Sequence, residues 1–242
     1  MNSPRRHSRE LALKALYQAE INNSDKLESL NQIVKDSLFP PVIEAVVKEF
    51  LKNTKATEIL SGKVEDFIPD FVDCISSTPH LEVSDLRFSA KQLLEKYFPG
   101  VTINESFQPE LQNLIDSLCE RIKKQSIVEE FATELISNIS QNNKFIEDTI
   151  EKTANNWSLN RMATIDRCIL KIAVSEFFYF PSIPLKATIN EAIELAKKYS
   201  TDRSYEFVNG ILDKISKENK LVKTPKSENS SKKTETNSDL EK

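Results

Sequence analysis

Residues 189–214 read INEAIELAKKYSTDRSYEFVNGILDK. Ile189, Ala192, Ile193, Ala196 and Tyr199 fall three and four residues apart, the period of one helix face. Phe207, Val208, Ile211, Leu212 and Ile215 repeat that period in a second helix. Just upstream, Thr188 and Glu191 have the spacing of a capping box, which starts the first of the two. Asn209-Gly210 ordinarily marks a turn. Here the apolar period runs across it, so Gly210 is expected inside a helix, where another backbone or a ligand comes close.

The neighbouring segments are helical as well. IDRCILKIAVSEFFY (165–179) is apolar on most faces, the mark of a central helix in a bundle, and Pro181 and Pro184 end it. Ile127, Phe131, Leu135 and Ile139 recur every four residues, and Phe145, Ile146 and Ile150 begin a further helix. At the start of the chain, RRHSRELALKALYQAEIN (5–22) places Leu11, Ala12, Ala15, Leu16 and Ala19 on one face. Leu13, Tyr17 and Ile21 widen the arc, so this helix is expected to be buried beyond its first turn. Arg5, Arg6 and Arg9 crowd its N-terminal end, where the macrodipole prefers acids. That arrangement calls for an anion.

Residues 35–125 differ in character. Six of the ten prolines (Pro40, Pro41, Pro69, Pro79, Pro99, Pro109) punctuate helix-length apolar segments, which predicts short helices separated at proline. Of the chain's 33 basic and 37 acidic residues, 11 and 15 lie in this block, leaving 22 of each elsewhere. The whole formal charge of −4 therefore sits here, and the net count says little about partners of the remainder. Residues 218–242 are polar, with almost nothing to bury, and are expected to be disordered.

Composition removes several function classes. Three glycines cannot build a phosphate-cradling loop, and two histidines cannot form a histidine-ligated metal cage. His7 lies among arginines and His80 follows Pro79, so neither is placed to act as a catalytic base. Asp166 and Glu176 stand ten residues apart on one helix, about 15 Å, too far for an acid–base pair. Asp166 reads as a helix-start charge and Glu176 as a partner-facing or capping residue. No cofactor or metal site is expected, and no catalysis. Cys74, Cys119 and Cys168 are widely spaced, no apolar run is long enough to span a membrane, and a cytoplasmic location is expected.

Binding signals are stronger. Arg5, Arg6 and Arg9 supply donors that suit phosphates. Lys186, Lys197, Lys198 and Arg203 lead to Phe207 and Asn209, a combination of cations, aromatic ring and amide that fits single-stranded RNA. Lysines on a helix are more often a solvated face, and a phenylalanine at this spacing more often core.

The segments 5–18, 165–177 and 189–214 resemble the NusB family, the last most specifically, through INEAIELAK followed by FVNGILDK. The resemblance covers roughly residues 5–34 and 126–217. It implies an all-α bundle of two helical subdomains: N-terminal helices in 1–34, an acidic helical insertion in 35–125, a C-terminal bundle in 126–217 and a polar tail in 218–242. It further implies a non-catalytic transcription antitermination factor. Such a factor binds boxA-type RNA of ribosomal RNA operon leaders together with the ribosomal small-subunit protein NusE, within an antitermination complex on RNA polymerase. By matching position, Arg5, Arg6, Arg9, Phe207, Asn209 and Arg203 are the expected RNA contacts, and Tyr17 and Asp166 the expected partner contacts. A homodimer is compatible with the resemblance. His7 within the basic run and Arg203 at a position often acidic or small are departures that bear on RNA contact and partner choice. Two alternatives stay open: an RNA-binding accessory module of an RNA-modification system, and a protein-interaction scaffold with reduced RNA binding.

Overall fold

The computed structural model describes residues 3–53, 64–77, 82–99, 108–154 and 158–219. Among them run ten α-helices and no strand: α1 (Pro4–Asn22), α2 (Lys26–Ile33), α3 (Pro40–Asn53), α4 (Val64–Ser76) and α5 (Val83–Tyr97), then α6 (Gln108–Gln141), α7 (Asn143–Thr153), α8 (Thr164–Tyr179), α9 (Leu185–Tyr199) and α10 (Ser204–Glu218). A π-turn at Val34–Leu38 joins α2 to α3, and a 3-10 turn at Leu159–Arg161 precedes α8.

Local signals set several ends. Ser3 caps α1 by accepting from the Arg6 amide at 3.3 Å, and Pro4 occupies the first turn, where no N–H is needed. Asn23 ends α1 in the left-handed conformation, with φ 51°. Asp25 caps α2 through the amides of Leu27 and Glu28 at 2.8 and 3.0 Å.

The helices form two groups. α1 packs on α2 and α6, with α3, α4 and α5 completing that side; α8 packs on α7, α9 and α10. α8 also lies against α1 and α6 and so joins the groups. As its sequence requires, α8 is enclosed almost all round: Cys168, Ile169, Leu170, Ile172, Ala173 and Val174 are buried. Burial pushes the Cys168 thiol up to about 12, which leaves it an inert apolar group. In the other group, Phe67 stacks on Phe71 at 5.4 Å and meets Phe98 at 5.9 Å. No described helix is long and apolar enough to cross a membrane.

Several details depart from expectation. Pro69 lies inside α4 instead of ending a helix. It and Glu65, whose carbonyl it cannot bond, are both exposed, so water can satisfy that group. Leu111–Leu118 does not form a separate short helix but opens the 34-residue α6, which crosses the 125/126 boundary unbroken. Pro109 sits in its first turn, where it interrupts nothing, and no proline or glycine follows before Gln141. Tyr17 and Ile21 are 39% and 59% exposed, so α1 keeps a solvent-facing stripe along its length. Ile127 and Phe145 are exposed as well. The break expected at Pro79, and the tail from residue 220 onward, lie outside the described residues.

Candidate nucleic-acid interface

The three arginines of α1 meet three different fates. Arg5 is exposed, its guanidinium 5.5 Å from the centre of the Phe131 ring. Arg6 places Nε and Nη2 on the two carboxylate oxygens of Glu191, at 2.8 and 2.7 Å. Its side chain stays 37% exposed, against 17% for Glu191. Arg9, expected among the RNA contacts, is turned inward, with Nε and Nη2 donating to Glu176 at 2.6 and 3.0 Å. Both members of that pair are buried, and Thr188 adds a third bond to Glu176 at 2.6 Å. A buried charge needs this saturation, because its lost hydration must be replaced by good partners. Arg9 therefore braces the site and is not open to a ligand.

Charges of alternating sign result. Glu176, Arg9, Glu191 and Arg6 follow one another from the core to the surface, with Arg9 Nη1 4.0 Å from Glu191. The anion called for by the crowded arginines is thus partly supplied from α8 and α9. Thr188 lies within α9, which begins at Leu185, so it spends its hydroxyl on Glu176, and Glu191 spends its carboxylate on Arg6. The expected capping box is replaced by contacts to other helices.

Beside Arg6, a cleft of about 280 Å³ is lined by Glu10, Glu191, Glu194, Leu195, Lys197 and Lys198. Glu10 accepts bonds from Lys198 at 2.9 Å and Tyr199 at 3.2 Å, closing α1 onto α9. Lys197 reaches over the Tyr205 ring at 5.6 Å, leading the surface from α9 onto α10. Arg203 and Asn209 are exposed on α10 or at its start, whereas Phe207 is half-buried against the core. Gly210 lies inside α10 as expected, but a Cβ there would meet nothing within 4 Å, so no protein backbone presses on it. Tyr17 follows Arg6 by eleven residues along the same face of α1, about 16 Å away.

Asp166 is the second correction. Expected on a partner-facing surface, it is buried, and its two oxygens accept the hydroxyls of Ser200 at 2.6 Å and Ser204 at 2.9 Å. It ties the start of α8 to the α9–α10 corner.

A separate network lies at that same end of α8. Arg167 and Lys171 both donate to Glu20 of α1, and Lys171 also pairs with Glu147 of α7 at 2.9 Å. Burial pushes the Glu20 carboxyl up, but the bonds from Arg167 and Lys171 outweigh it and hold the group below its ordinary range. These residues floor a polar groove of about 540 Å³ between α1, α7 and α8. Among the described residues no cluster of acids, histidines and cysteines could hold a metal ion.

The sequence pattern of the NusB family matches residues 84–217, more than half of the chain. The transcription antitermination protein NusB of Microcystis aeruginosa is 33% identical over 226 residues, 92% of this chain and 94% of that protein. This chain belongs to the NusB family. The NusB of Crocosphaera subtropica is 32% identical over 86% of this chain and 92% of its own length. The NusB of Chloroherpeton thalassium is 44% identical over 104 residues, but there the chain spans only about half, 49%, of the relative. The NusB pattern begins within α5, upstream of residue 126, and the Microcystis match cannot reach 92% of the chain without crossing 35–125.

Sequence reasoning missed Glu10 and Tyr205 and misread Glu176 and Glu191. One signal for the acids was present. An arginine-rich first turn with no acid of its own must find carboxylates elsewhere, and Glu176 and Glu191 stand in the segments most NusB-like.

Proposed function

We propose that this NusB-family protein is a transcription antitermination factor. In this reading it binds boxA-type single-stranded RNA with the ribosomal small-subunit protein NusE, as part of an antitermination complex on RNA polymerase. The observation that carries it is the grouping of half-exposed Arg6 with Lys197 and Lys198 around one cleft, with Arg5 exposed beside Arg6 in the first turn of α1. Arginine forks suit phosphates, and cations so grouped track a backbone. Exposed Arg203 and Asn209 and half-buried Phe207 lie at the start of α10 and along it, while Tyr17 offers an exposed aromatic to a protein partner. In this reading residues 35–83, upstream of the family pattern, elaborate the N-terminal group.

Salt-dependent binding tests it. Fluorescence anisotropy with a boxA-type RNA should give a logarithmic affinity that falls linearly with logarithmic salt. Replacing Arg5 and Arg6 together by alanine should reduce that slope by about 1.4, two phosphates at roughly 0.7 each for a single strand. An unchanged slope removes these arginines from the interface.

A further inference from the structure

We propose that Glu191 is the positioning residue that presents Arg6 to an RNA phosphate, an inference that rests on the RNA-binding reading above. A guanidinium carries five N–H donors. Glu191 takes Nε–H and one N–H of Nη2, which leaves both donors of Nη1 and the second of Nη2 for an incoming anion. The exposures agree with this division: the Glu191 side chain is largely covered, while that of Arg6 is still reached by solvent. Behind Glu191 stands Arg9, itself locked on Glu176, so the carboxylate is held from the core side as well. The hydrogen bond from Arg6 holds the Glu191 carboxyl below its ordinary range, so it is ionised wherever RNA is stable.

The competing role would be a mimic of phosphate, displaced when RNA arrives. Displacement would strip a mostly covered carboxylate of both short bonds, with only Arg9 Nη1 at 4.0 Å in their place. A phosphate at the Nη1 edge requires no such exchange. Long side chains lose much freedom when they bind, so an arginine already held in place contributes more to affinity than a free one.

The experiment is a double-mutant cycle on the full chain: Glu191→Gln, Arg6→Ala and the pair, with binding to a boxA-type RNA read across a salt series and melting temperature read in parallel. Glu191→Gln should weaken binding about three- to tenfold. In the Arg6→Ala background the same change should have no further effect. Unchanged or tighter binding by Glu191→Gln overturns the proposal, tighter binding being the signature of a displaced mimic. An equal loss in both backgrounds, tracking a lower melting temperature, also overturns it and makes Glu191 merely structural. If the parent chain itself shows no salt-dependent binding, the RNA reading fails first and the proposal falls with it.

Discussion

The two ends of α8 use the same chemistry to opposite effect. At one end, Glu20 joins Arg167 and Lys171, with Glu147 completing the set; Lys171 is buried and the network ends on polar groups of the protein. At the other end, Glu176 and Arg9 are buried, but the series continues through Glu191 to a half-exposed Arg6. The first network ends on an acceptor, Glu147, at the polar groove and holds α1, α7 and α8 together. The second is open, anchored in the core at Glu176 and ending at a surface donor. An ion pair therefore says little about role until its burial and its last member are known.

The sharpest way to break this comparison is Glu176→Ala. It leaves Arg9 buried without its fork and the Thr188 hydroxyl without its acceptor, so unfolding free energy should fall by about 3–5 kcal/mol. Urea denaturation reads this as a lower midpoint at unchanged slope. A loss below about 1 kcal/mol would mean that this end is not anchored in the core.

Glu20→Gln should cost less, about 1–3 kcal/mol, because Lys171 keeps Glu147. It also carries a pH signature. Glu20 titrates lower in the folded chain than in the unfolded one, so its contribution is complete above the ordinary glutamate range and is lost as pH falls through the folded value. The stability gap between parent and Glu20→Gln should therefore close in acid, followed by urea midpoints at a series of pH values. Burial lowers the affinity of Lys171 for its proton, but its bonds to Glu147 and Glu20 raise it further, so that lysine's contribution is lost only in strong alkali. A gap that stays constant in acid would place the network's worth in packing.

Arg121→Ala sets the scale of an exposed pair. Arg121 joins α6 to Glu49 of α3 at 2.6 Å, with side chains 43% and 61% exposed, and its loss should cost about 0.2–1 kcal/mol. A larger cost by thermal or urea melting would narrow the contrast between buried and exposed pairs.

Periodic segments were the most legible part of the sequence. The central helix, the pair around INEAIELAK and FVNGILDK, and the N-terminal helix all lie where the apolar spacing puts them. Prolines misled at Pro69, because a proline on an exposed face interrupts a helix far less than its missing N–H implies. Thr188 and Glu191 misled for a different reason. Their spacing fits a cap, but both side chains found stronger partners across helices.

The sequence by itself determined that these segments are helices and that basic residues gather at one end of α1, since a 3.6-residue period and a local run of arginines are properties of neighbours. Only the tertiary structure decided that Arg5 faces out, Arg6 stands half-held and Arg9 is enclosed. Arg9 and Glu176 are 167 residues apart in the chain, and Arg6 and Glu191 are 185 apart. Which charges meet, and which of them water can still reach, depends on how α1 docks against α8 and α9, and no local pattern encodes that docking.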